Sequence, residues 1–172
     1  MKKNVVIACG MQKAYFSKKG RKYLGENVDT LNVRIQDYLQ GLNKGYTEIF
    51  LVREVHQTND TFYSGTSSYA LVGTDDIEIP EVFKPYAKVI INSSRPSAFY
   101  RTPLESELHK VKPDNVYLIG LETHTNILFT AEELRNREYN VTVYEQLVMS
   151  EDDYLNDLGI NILSNVLSVR VE

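Results

Sequence analysis

Tryptophan is absent from this 172-residue chain, cysteine occurs once, and histidine three times. A single cysteine excludes an intrachain disulfide. Three histidines leave little material for a nitrogen-rich metal centre, since tight zinc sites take three or four ligands in defined geometry. Acidic residues outnumber basic ones, 23 to 19, for a net charge of −4. Apart from Lys18-Lys19-Gly20-Arg21-Lys22 the cations form no cluster, which argues against nucleic acid as the main partner. That short stretch reads as a solvated loop rather than a phosphate site. No apolar run is long enough to span a bilayer. Met1-Lys2-Lys3-Asn4 leads into a strand with no apolar h-region, so a cytoplasmic protein is expected.

What remains is material for one domain over residues 1–172, with 42% hydrophobic residues and length enough to bury roughly 70% of its unfolded surface. Strands are expected near 4–9, 47–53, 88–92, 115–120, 140–145 and 166–171. The last of these, Val166-Leu167-Ser168-Val169-Arg170-Val171, alternates like an edge strand. Helices are expected near 28–43, 103–111, 125–138 and 151–163. Val28, Leu31, Ile35, Leu39 and Leu42 recur at spacings of three and four, as a helix packed on a sheet requires. Alternation of strand and helix predicts a three-layer α/β/α fold around a six-stranded parallel sheet of Rossmann-like character. Gln57 to Lys88 is the one long irregular stretch. It carries Tyr63, Tyr69, Phe83 and Tyr86, aromatics suited to packing or to a partner surface.

In such sheets sites lie beyond the carboxyl ends of the strands. Gly120-Leu121-Glu122-Thr123-His124-Thr125-Asn126 is the turn between a buried strand and an amphipathic helix, where free backbone N–H groups favour anions. The turn closely resembles that of the isochorismatase and cysteine-hydrolase superfamily, Gly-hydrophobic-x-Thr/Ala-x-x-Cys, with Asn126 at the cysteine position. Ile7-Ala8-Cys9-Gly10-Met11-Gln12 resembles the family's strand ending in Asp-Met-Gln, with Gly10 at the aspartate. Leu71-Val72-Gly73-Thr74 is similar to its Val-x-Gly-Thr stretch. Ser97-Ala98-Phe99-Tyr100-Arg101-Thr102-Pro103-Leu104 is similar to the Ser-Ala-Phe-x-Arg-Ser/Thr-x-Leu run of the isochorismate-hydrolysing branch. The family lysine precedes that run by four residues, which places Ser93 there. The resemblance also implies a cis peptide at Leu121-Glu122.

A cysteine amidohydrolase needs a thiolate, a carboxylate to move its proton, and a cation to hold the carboxylate and depress the thiol pKa. Gly10, Ser93 and Asn126 supply none of these. Isochorismate hydrolases of the superfamily dispense with the cysteine but keep the aspartate; their turn shares a glycine and a histidine with this one, at Gly120 and His124. The reading is therefore a catalytically silent member kept for small-molecule binding, regulation or assembly. The alternatives are a hydrolase of a small amide or an isochorismate-like vinyl ether, built around His124, Ser93, Ser94 and Asn126, and a structural homo-oligomer with an occluded pocket.

By the same resemblance Glu122, Thr123, His124, Thr125 and Phe16 would line a pocket for a small carboxylate or amide, in a protein expected to form a homo-oligomer. Thr123 and Thr125 read most simply as helix N-caps. Cys9 reads as a small buried hydrophobe. The nicotinamidase branch binds a metal through an Asp-x-His pair and a later histidine. Glu54 and His56 stand at the pair, with Asp60 nearby, and Tyr69 stands at the later histidine. No metal and no cofactor are expected.

Overall fold

A computed structural model of the chain describes residues 3–63 and 68–172, which leaves Met1, Lys2 and four residues of the Gln57–Lys88 stretch outside the described residues. Six strands form one parallel sheet in the order β3-β2-β1-β4-β5-β6. They are β1 (Asn4–Cys9), β2 (Thr47–Glu54), β3 (Val89–Ser93), β4 (Asn115–Leu121), β5 (Val141–Met149) and β6 (Arg170–Val171). The helices are α1 (Lys13–Phe16), α2 (Glu26–Gly41), α3 (Leu104–Val111), α4 (Leu128–Asn136) and α5 (Asp153–Asn165).

Side-chain alternation in β1 divides the core. Val5, Ile7 and Cys9 face the layer of α3, α4 and α5, with Leu104, Leu108, Ala131, Leu134 and Leu163 against them. Val6 and Ala8 face the other layer, where Val28, Leu31, Ile35 and Leu39 of α2 pack beside Ala14 and Tyr15 of α1. The 3.6-residue period of α2 and the two-residue period of β1 therefore meet on one buried surface. Cys9 is wholly buried as expected, and burial pushes its thiol up to about 12.

Three expectations need correction. The final strand does not begin at 166: Val166 is the C-cap of α5, Ser168 has φ 51°, and only Arg170–Val171 pairs with β5. The apolar residues Val166 and Leu167 belong to the helix end and its turn, and alternation alone cannot distinguish that from an edge strand. The helix expected from 125 is an α-helix only from Leu128, preceded by a wider π turn over Thr123–Ile127. The strand expected over 140–145 continues to Met149, because its register with β4 slips between Leu118 and Gly120 and resumes at Val148. Gly120 is required there: with φ 107°, a Cβ would stand 2.0 Å from the carbonyl oxygen of Cys9.

Candidate functional site

The carboxyl ends of β1, β2 and β4 converge on a buried polar cluster. After Cys9 the chain reverses at Gly10, with φ 64°, and Met11 returns its N–H to the carbonyl of Val52. This brings Gln12 beside the last residue of β2. Its Nε2 donates to the Glu54 carbonyl at 3.1 Å and its Oε1 accepts from the Glu54 N–H at 2.5 Å. A side-chain amide thus continues the ladder one step past the strand.

The Glu54 carboxylate is 1% exposed. Tyr15 of α1 donates to Oε2 at 3.0 Å and Tyr69 donates to Oε1 at 2.6 Å. Asn126, on the π turn, adds a side-chain hydrogen bond. Burial raises the pKa of Glu54, and these three donors oppose the rise without cancelling it. The same burial, together with the neighbouring carboxylate, pushes the Tyr15 and Tyr69 hydroxyls well above the ordinary phenol value. They therefore act as fixed donors.

His56 continues the cluster outward. Its Nδ1 lies 2.9 Å from the Tyr69 carbonyl, which can only accept, so Nδ1 carries the proton. Nε2 is buried without a hydrogen-bond partner, 3.9 Å from Glu54 Oε1. Burial lowers the His56 pKa, so this approach is not an ion pair. Tyr63 stacks on the imidazole at 3.7 Å and Tyr69 meets both rings edge-on. Arg95 pairs with Asp60 at 2.6 Å, which holds that carboxyl below its usual range and directs it to the guanidinium.

The sequence-derived candidates divide. Asn126, 5% exposed, reaches Glu54. Gly10 lies against the Leu121 carbonyl and the Tyr15 ring. Ser93 pairs in register with Glu54, but its hydroxyl serves its own loop, donating to the Arg95 carbonyl at 2.6 Å. Glu122, 5% exposed, follows a cis peptide at Leu121-Glu122, as expected; its Oε1 has no hydrogen-bond partner, and burial raises its pKa. Thr123 and Thr125 are not N-caps, because Glu122 holds that position and no side chain caps the turn. The Thr123 hydroxyl donates instead to Asn156 Oδ1 at 2.7 Å, and His124 Nδ1 lies 2.9 Å from the Ser150 hydroxyl, so both residues bind the turn to α5 and its approach. Phe16 packs edge-on against Phe83 at 5.3 Å and joins that core.

Gln12, Tyr15 and Tyr69 were not singled out as polar partners. Gln12 closes the motif quoted for the first strand and Tyr15 follows three residues later, but their partner Glu54 is 42 and 39 residues away. Lys22 closes the outer side, with Nζ 5.2 Å from the Tyr69 ring centre and 3.7 Å from Glu151.

Residues 4–170 match the isochorismatase domain. A pyrazinamidase/nicotinamidase from Streptococcus mutans UA159 superposes with a TM-score of 0.85 at 21% identity, covering 98% of this chain and 99% of that one. An N-carbamoylsarcosine amidase from Thermoplasma acidophilum gives 0.85 at 20% identity, covering 99% and 95%. A pyrazinamidase of Pyrococcus horikoshii in complex with zinc gives 0.82 at 18%, covering 99% and 98%. Likeness at these identities is one of fold. An uncharacterized isochorismatase family protein of Bacillus subtilis (strain 168), YaaI, is 29% identical over 75 residues, which span 44% of this chain and 41% of that protein.

Proposed function

This chain belongs to the isochorismatase family, and from that premise we propose that it is a non-hydrolytic member, retained for binding or assembly rather than turnover. Gly10, Ser93 and Asn126 take the positions of the family's aspartate, lysine and cysteine. One observation carries the reading: the carboxylate at the centre, Glu54, is 1% exposed and has Tyr15 on one oxygen and Tyr69 on the other. A general acid or base must reach the proton it transfers, directly or through one water. Here its lone pairs are directed at phenols, and Asn126 offers an amide where acyl transfer needs a nucleophile.

Zinc accompanies the P. horikoshii relative. The residues here do not fit that metal. Glu54 is occupied by hydroxyl donors, His56 supplies one bare nitrogen, and no group of three or more His, Cys, Asp and Glu side chains comes together among the described residues. Tyr69 directs its hydroxyl at Glu54 instead of supplying a third ligand. No step is assigned to a metal.

A second reading, vinyl-ether hydrolysis, draws on the raised pKa of Glu54, a property general acids share. It requires substrate to displace both tyrosines. The test is an assay of purified protein with nicotinamide, pyrazinamide and isochorismate at neutral pH. No turnover above buffer is expected. Turnover that disappears in Glu54→Gln protein overturns the proposal in favour of the second reading.

Among the described residues no helix is long and apolar enough to cross a membrane. A small carboxylate or amide as ligand, and a homo-oligomeric state, remain part of this proposal. Ligand binding is read by a thermal-shift screen, since selective binding to the native state raises apparent stability.

A further inference from the structure

At the opposite edge of the sheet, where the strands begin, a cleft of about 260 Å³ opens between the end of α4, the starts of β4 and β5, and the segment entering β6. Its polar lining is two guanidinium groups, Arg135 and Arg170, two hydroxyls, Thr142 and Ser168, and the carboxamides of Asn115 and Asn140. Glu172 is the partner of Arg170, but among the described residues the lining itself includes no carboxylate. In a chain of net charge −4 that is a local inversion.

Arg135 is held by backbone alone, with Nε donating to the Leu167 carbonyl at 3.1 Å and Nη1 to the Tyr139 carbonyl at 2.9 Å. Those two carbonyls, which would repel an anion, are thereby occupied. Among the described residues Arg135 has no ion pair, and the hydroxyls of Thr142 and Ser168 make no hydrogen bond. Thr142 and Arg170 are register partners between β5 and β6, so hydroxyl and guanidinium sit side by side. Arg170 pairs with Glu172, but its side chain is 74% exposed, and exposed pairs of this kind are weak and readily exchanged.

We propose that this cleft binds a tetrahedral oxyanion, namely phosphate, either free or as the terminal group of a phosphomonoester. Guanidinium forks match phosphate oxygens two at a time, and a prefixed one loses little freedom on binding. The hydroxyls of Thr142 and Ser168 add uncharged donors, whereas the Asn115 and Asn140 amides already donate to Asn4 and to the Asp114 carbonyl. The volume falls below the roughly 300–1,000 Å³ of pockets for drug-sized ligands, so the cleft admits the anionic group and leaves the rest of a larger molecule outside.

The test is an amide-resolved NMR titration of the full chain with inorganic phosphate and, separately, methyl phosphate, each against sodium chloride at matched ionic strength. Saturable shifts are expected at Asn115, Thr142, Ser168 and Arg170, and not with chloride. Arg170→Gln should weaken binding about tenfold, the loss of one charge-assisted hydrogen bond. Thr142→Glu, which sets a carboxylate in the cleft, should abolish it while the protein melts as before. Arg135→Gln also frees two carbonyls and can fail to fold, so these two variants carry the test. Tighter binding of methyl phosphate assigns the site to an ester, and equal or weaker binding to the free ion. If neither anion moves these amides beyond the chloride control, or if Thr142→Glu binds like the unaltered chain, the proposal is wrong.

Discussion

The Tyr69 hydroxyl stands 2.6 Å from Oε1 of Glu54, closer than the 3.0 Å from Tyr15 to Oε2. A hydrogen bond to a charged group contributes about 1.5–3 kcal/mol, and losing the donor leaves the acceptor buried and unpaired. Tyr69→Phe should therefore lower the unfolding free energy by about 1.5–3 kcal/mol at neutral pH, read from urea denaturation. A loss within error of zero would mean that water or another donor already serves Oε1.

Glu54 and pH form the second expectation. A carboxyl whose folded-state pKa lies above its unfolded value binds its proton more tightly when folded. Its stabilising contribution is complete below the unfolded pKa and fades as pH climbs through the folded one. Burial raises Glu54 and Glu122 in this sense, whereas Arg95 lowers Asp60 and gives the opposite slope. Subtracting the Glu54→Gln stability curve from that of the unaltered chain cancels Asp60, which does not feel Glu54, and leaves Glu54 together with its repulsion of Glu122. The difference should shift against the glutamate as pH rises from the ordinary carboxylate value upward; a flat difference would place Glu54 at an unperturbed pKa.

Gly10 and Gly73 both have positive φ, 64° and 82°. A Cβ on Gly73 meets nothing within 4 Å, whereas one on Gly10 stands 2.7 Å from the Leu121 carbonyl oxygen. Gly73→Ala should cost about 1–2 kcal/mol for its backbone conformation alone. Gly10→Ala should cost about 2–5 kcal/mol, because overpacking adds roughly 1–3. Equal losses at the two sites, measured by urea unfolding, would remove the steric part of the account.

Gly159 should reverse the usual helix rule. Replacing an interior helical glycine with alanine ordinarily gains about 0.5–1 kcal/mol. Here the new Cβ would lie 2.9 Å from the backbone nitrogen of His124 and 3.0 Å from the carbonyl carbon of Thr123. Gly159→Ala is expected to destabilise by about 1–2 kcal/mol, overpacking outweighing propensity. A rise in melting temperature would show that α5 can move off the π turn.

Cys9 is the one cysteine of the chain, fully buried, with its thiol pushed up to about 12 by burial. Because the thiolate is the reactive form, the native protein should show no alkylation at pH 8. In denaturant it should release one thiol per chain. Ready labelling of the native state would contradict both the burial and the tight contact of β1 with β4.

Much of the fold was legible because it is written in short-range periodicity. The spacing of Val28, Leu31, Ile35 and Leu39 identifies the buried face of α2, and the apolar runs at β1 and β4 identify central strands. Where two local patterns coincide, legibility fails: Val166 and Leu167 alternate like a strand while ending a helix. The turn beyond β4 was located but its first residues were misassigned as caps, because a π turn has the composition of a helix start. The tyrosine clamp on Glu54 was not visible at all. It joins residues 39 and 15 positions apart, and only the sheet order brings them to one point.

The backbone at Gly10 also has a directional meaning. With the chain reversed through a left-handed turn and the Leu121 carbonyl held where a side chain would begin, an aspartate substituted there meets a closed door. Under the proposed residue mapping, the path back to hydrolysis has to reopen the main chain before any acid can return. On the proposed non-hydrolytic reading the glycine acts as a ratchet, because its backbone conformation penalises the first step out of that state.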